Sequence, residues 1–225
     1  MAVECFLKEP YVGIPDGASH SYGGSQGWFG KGVLARYGCG AVALGDVLLY
    51  LGFGEAEDTL TKEGYLHYIK KMNRLYIHVV PGFGAPGGAL AASANLFFKI
   101  KKLPYRAKFC ASGKKLEERV EKSIKKGFPV ILAVGKSLHF FQKRKLAMYR
   151  LKKDGYTKAA EVSGHHVVVT GMKDGYFQVS SWGRKYFISI KEYLEYSGHD
   201  SSFLISNICT IDRKKKKEKK AGKKR

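Results

Sequence analysis

Cys39 stands between two glycines, Gly38 and Gly40, where a Gly-rich stretch gives way to the most apolar run of the chain, CGAVALGDVLLYLG. Six apolar residues from Val42 to Leu51 predict a helix that is hydrophobic nearly all round and therefore buried. A thiol at the first turn of such a helix meets unpaired N–H groups and the positive end of the macrodipole, which favour the thiolate. Flanking glycines let backbone or substrate approach it closely. A thiolate nucleophile also needs a base, and GHHVVVTG supplies two imidazoles, His165 and His166, where the chain enters a strand. Spacing alone leaves a second reading open, in which Cys39 is a packed core thiol and the histidines merely edge a strand.

Several elements must hold these groups. Residues 1–38 are rich in Gly, Pro and aromatics and read as ordered but irregular. An amphipathic helix is expected over 59–72, capped by Thr59 or Thr61, and a second helix over 88–100. A third is expected in SGKKLEERVEKSIKKG, where Leu116, Val120 and Ile124 form one stripe and Gly127 ends it. FPVILAVG reads as a buried strand, and HHVVVTGM, GYFQVSSW and KYFISI read as three strands joined by short turns. KEYLEY is a short helix and FLISNICTI a last strand, whereas 136–163 gives no clear pattern. Helices lead and strands cluster late, so the fold class is α+β with a mainly antiparallel sheet.

Composition narrows the function classes. Hydrophobic residues make up 44% of 225, enough for a real core, which excludes wholesale disorder. The sequence has no run long enough to be a transmembrane helix and no apolar leader near Met1, so a cytoplasmic protein with reduced thiols is expected. Cys5, Cys110 and Cys209 lie in apolar runs and read as small hydrophobes. Neither the cysteines nor the seven histidines have metal-ligand spacing, so no metal or cofactor is expected. The net charge is +21, and residues 213–225 (RKKKKEKKAGKKR) hold ten basic side chains and one acid. That segment reads as a disordered basic tail after a single domain at 1–212. Such a tail either attracts nucleic acid or another anionic partner without selectivity, or is a solubilising segment with no dedicated partner, the commoner role of a basic run without interleaved aromatics.

In its serial order of motifs the chain resembles papain-fold cysteine peptidases, and within them the bacterial branch of double-glycine-leader peptidases that process bacteriocins. The motifs are Cys39-Gly40 opening a buried helix, Lys126-Gly127-Phe128-Pro129-Val130, Gly164-His165-His166-Val167-Val168-Val169-Thr170-Gly171, and Gly175-Tyr176-Phe177, spread over about residues 26–193. The resemblance implies a papain-like fold, N-terminal helices packed on the sheet with the nucleophile at a helix N-terminus, and a peptide or protein substrate. It places Cys39 on the nucleophile. The family's base stands six residues before the Gly that ends the strand, which selects His165 and sends His166 to the other sheet face; a register slip of one would swap them.

Two departures are visible. The Asn or Asp that orients the histidine in the family falls on Ser180, whose neutral hydroxyl stabilises an imidazolium less well. This weakens catalysis or moves the role to another group; Asp46, seven residues past Cys39 on the same helix face, is a buried-carboxylate candidate for it, or else a carboxylate that satisfies nearby loop amides. The family's oxyanion Gln falls on Val33; an insertion of about seven residues would let Gln26 serve instead. Expected functions are thus a cysteine hydrolase acting through Cys39–His165 and an acyl-enzyme, a catalytically weak papain-like binding protein that docks through its tail, or a papain-fold deamidase or acyltransferase.

Overall fold

A computed structural model of the chain describes residues 3–54, 61–139 and 144–214. At its centre runs α2 (Cys39–Tyr50), in which every residue from Gly40 to Leu48 is buried. Its small residues set how closely neighbours pack. A side chain at Gly45 would fall 2.1 Å from Ile69 Cδ1, on α3 (Lys62–Met72), and one at Gly40 would press on Leu90, on α4 (Gly87–Ile100). Thr61 caps α3 by accepting from Gly64 N–H, as a threonine ahead of a helix should. In α5 (Lys114–Lys125) the stripe Leu116, Val120 and Ile124 is fully buried, and the helix closes on Gly127 at φ +78°.

Among the described residues nine strands form one antiparallel sheet, and β2 (Pro15–Asp16) and β3 (Ser19–His20) form a separate two-stranded one. The core of the larger sheet is β8 (His165–Lys173), which pairs with β5 (Val130–Val134) on one side and β9 (Tyr176–Ser181) on the other. β10 (Arg184–Ser189) follows β9 through a turn made by Trp182 (φ 50°) and Gly183 (φ 72°), the left-handed pair that suits a two-residue hairpin. β11 (Ile208–Arg213) lies between β5 and β4 (Tyr105–Phe109), and β1 (Cys5–Phe6) takes the edge of β8 beyond the end of β5. The short helix α6 (Ile190–Glu195) starts at Ser189, whose side chain caps it.

The mixed helical and antiparallel architecture agrees with the expected class, with three differences. The stretch without a clear pattern contains a hairpin, β6 (Leu146–Lys152) and β7 (Gly155–Val162), which extends the sheet past β10. Strand β4 interrupts the helices of the first half. The basic run does not begin as a free tail: Arg213 pairs with Tyr105, and Lys214 N–H donates to Pro104 O. Residues 215–225 lie outside the described residues, as does Thr59. Cys209 is buried in β11 but Cys110 is exposed, so Cys110 is not a packed hydrophobe. No helix among the described residues is long and apolar enough to cross a membrane.

Candidate active site

The residues before Cys39 are less irregular than their composition implies. A 3-10 turn at Gln26–Phe29 leads into a short helix α1 (Val33–Tyr37), and Gly38 alone separates α1 from α2. Gly38 donates to Leu34 O and accepts from Val42 N–H, and a Cβ there would stand 2.2 Å from Leu34 O. Only glycine lets the two helices meet so tightly, and this joint fixes Cys39 as the first residue of α2.

α2 packs against β8, and Cys39 Sγ lies 3.7 Å from Nδ1 of His166, within hydrogen-bond range for sulfur. His165 is engaged elsewhere. Its Nε2 is 2.8 Å from Ser181 Oγ, and its ring stacks on Trp182 at 4.8 Å between centroids. The expected Cys39–His165 contact is therefore replaced by Cys39–His166, and strand geometry gives the reason. Neighbouring side chains face opposite sides of a strand. An even count back from Gly171 keeps one face only if the alternation is unbroken. In β8 the pairing with β9 shifts between Val169 and Gly171, leaving Thr170 as an extra residue. The bulge reverses the phase, so the residue turned toward α2 is His166.

Ser180 does not act as the histidine's partner. It donates to Tyr22 O at 2.7 Å and so anchors the Gly-rich loop. Among the described residues no Asn or Asp bonds His166 Nε2, which is buried without a hydrogen-bond partner. Ser181, the hydroxyl that does contact a histidine, carries no signal in the sequence beyond its adjacency to Ser180. Gln26 is brought to the site. Its Nε2 donates to Ala35 O of α1 at 3.1 Å, while its Oε1 is buried and unpartnered. The inserted residues expected between Gln26 and Cys39 thus take form as the 3-10 turn and α1.

Cys39, Gln26, His165, His166 and Ser180 line one small cavity between α2 and the sheet. Asp46 lines it from two turns further along α2. Its carboxylate accepts from Gly24 N–H at 3.0 and 3.2 Å and from Tyr65 Oη at 2.7 Å. The loop's glycines are required here: a Cβ at Gly24 would sit 1.9 Å from Tyr65 Oη, and one at Gly23 2.2 Å from Ser180 Oγ and 2.5 Å from Asp46 Oδ2.

Burial dominates the electrostatics. It raises the Cys39 thiol pKa above 9.0, opposed by the nearby backbone N–H groups of His166, Gly40 and Cys39 itself. It pushes His166 down to about 4. His165 is pushed down to about 3, by burial first and then by the neighbouring His166. Asp46 is raised from 3.8 to about 7 by burial, against the hydrogen bonds from Gly24 and Tyr65. Without substrate the pair is therefore a neutral thiol beside a neutral imidazole. Such a pair can react by passing the thiol proton to Nδ1 as sulfur attacks.

No protein-family model and no curated protein sequence matches the chain. Among solved structures it is similar to the crystal structure of a candidate C39-like peptidase from Bacillus anthracis. The TM-score is 0.53 over 95% of this chain and 100% of that one, at 13% identity. The two proteins share a fold.

Proposed function

We propose that the protein is a cysteine hydrolase, most simply a peptidase, with Cys39 as nucleophile and His166 as its acid–base partner. The observation that carries this reading is the 3.7 Å approach of Cys39 Sγ to His166 Nδ1 at the first residue of a buried helix. Sulfur attacks the substrate carbonyl while its proton passes to Nδ1. The oxyanion is met by the Cys39 N–H and by the Gln26 amide hydrogen not used on Ala35. The imidazolium protonates the leaving amine, and water, deprotonated by the same imidazole, releases the acyl group. His165, with Ser181 and Trp182, walls the site rather than performing proton transfer.

The serial motifs support placing it near the bacterial double-glycine-leader peptidases, and the shared fold supports a peptide or protein substrate; the cytoplasm is the compartment proposed with them. Residues 1–214 then form the catalytic unit, and the basic residues beyond it give weak, unselective attraction to anionic surfaces. Purified protein should cleave peptides from a mixed library and take up a thiol-directed acyl probe. Cys39→Ala should lose both; full activity in that variant would overturn the reading.

The lack, among the described residues, of a carboxylate or amide bonded to His166 Nε2 favours one second reading, a papain-like binding protein of little catalytic power. It predicts a Cys39 no more reactive than a free thiol, and salt-sensitive binding to a polyanion that deleting residues 215–225 removes. A deamidase or acyltransferase using the same pair would leave peptide bonds intact, which product masses would reveal.

A further inference from the structure

We infer that Asp46 is the positioning carboxylate for His166, reaching it through a single water held in the cavity between α2 and β8; this rests on the Cys39–His166 reading above. Three buried polar atoms lack a partner among the described residues: His166 Nε2, Gln26 Oε1 and Tyr11 Oη. Two of them belong to residues that line the same cavity as Asp46. Its volume is ≈ 10 Å³, about the room one water needs. A water there accepts from His166 Nε2–H and donates to Asp46 and to Gln26 Oε1. That gives it about three partners, the usual number for a buried water, and leaves only Tyr11 Oη unexplained.

The spacing fits a relay better than a direct bond. Cys39 and Asp46 are seven residues apart on α2, a rise of about 10 Å. His166 Nε2 has no direct partner among the described residues, and the hydrogen bonds of Asp46 go to Gly24 and Tyr65, so contact between the imidazole and the carboxylate needs a bridge. Asp46 is held for this by two fixed donors, Gly24 N–H and Tyr65 Oη. When the Cys39 proton moves to Nδ1, the positive charge on His166 is shared through Nε2–H and the water with the carboxylate, the role that the strand residue Ser180 does not fill. Asp46 ionises near neutrality, so this support is switched on as pH rises through about 7. The other groups facing the pair are His165, beside His166, and Tyr11 and Tyr65, which adjoin Asp46; the two tyrosines stay neutral over this range.

The test is the rate of iodoacetamide modification of Cys39, followed by peptide mass, from about pH 5 to about pH 9. Wild type should show a step near neutrality. Asp46→Asn keeps an oxygen for Gly24 and Tyr65, and it should melt cooperatively but lose that step, reacting about tenfold more slowly above it. An unchanged profile in Asp46→Asn would overturn the inference and reduce Asp46 to a loop anchor. His166→Ala separates the two claims: if it too leaves the profile unchanged, the Cys39–His166 reading itself falls. If only His166→Ala slows the reaction, Asp46 alone is at fault. Should Asp46→Asn fail to fold, ¹⁵N shifts of His166 in wild type decide. A proton resident on Nε2, with a shift that follows the ionisation of Asp46, supports the relay; a Nε2 indifferent to it refutes the relay.

Discussion

Ser181 Oγ lies 2.8 Å from Nε2 of His165, and the Trp182 ring stacks on the same imidazole. Trp182 takes φ 50°, a left-handed conformation that a bulky side chain adopts at a cost. The hairpin between β9 and β10 thus spends backbone strain on walling in His165, and leaves His166 as the imidazole that meets Cys39.

The two histidines should accordingly separate by kinetics. His166→Ala is expected to lower kcat/KM by about 100-fold or more, the usual worth of a positioned acid–base group. His165→Ala removes a stack and a hydrogen bond and should act mainly on stability, by about 1–3 kcal/mol. Peptide-cleavage kinetics and thermal melts of both variants check this; the opposite assignment of the two losses would restore His165 as the base.

Stability against pH has a sign for each group. Asp46 has a folded pKa of about 7 against 3.8, so the folded state holds the extra proton between these values. Its contribution is favourable below about 4 and is lost as pH rises through 7, a swing on the order of 4 kcal/mol. His165 and His166 are depressed to about 3 and about 4, so they stabilise the fold above about 6.5 and cost stability as pH falls. The two trends oppose each other between about pH 4 and 7. Asp46→Asn should expose the histidine trend and steepen acid destabilisation, as read from denaturant midpoints at about pH 5 and about pH 8. A wild-type profile that Asp46→Asn leaves unaltered would contradict the burial of that carboxylate.

Gln26→Ala should lower kcat by about 100-fold with little change in KM, because its donor serves the developing oxyanion rather than the bound ground state. A rise in KM at constant kcat would make Gln26 a binding residue instead.

Gly24→Ala places a methyl group 1.9 Å from Tyr65 Oη, beside the Asp46 hydrogen bonds. Overpacking of this kind costs about 1–3 kcal/mol or more, and the thermal midpoint should fall by several degrees. A neutral substitution would mean that the loop from Tyr22 to Gly24 is free to move away from α2.

Much of this was legible in the sequence where burial leaves a pattern. The all-apolar run after Cys39, the Leu116–Val120–Ile124 stripe and the valines of β8 each report a buried face, and each lies in the element expected. The β6–β7 hairpin was not legible because it is largely exposed: from Arg150 to Lys152 on one strand and Lys158 to Glu161 on the other, polar or small residues dominate and no alternation marks a core side. β4 is only five residues long and carries Arg106 and Lys108, so its one buried position, Ala107, gives no signal. At the site, the choice between His165 and His166 turned on Thr170, an extra residue in the ladder that composition does not announce. Ser180 and Ser181 are chemically alike, so only the pairing of β8 with β9 separates the loop anchor from the histidine's partner.

The central claim, that Cys39 is the nucleophile of an acyl-transfer reaction, is tested most directly by intact-protein and peptide mass spectrometry after rapid quenching with a peptide thioester or activated ester. An acyl group carried on Cys39, forming in wild type and absent in His166→Ala at matched times, is the predicted result. Substrate turnover with Cys39 unmodified, or an adduct that forms as fast without His166, would contradict it.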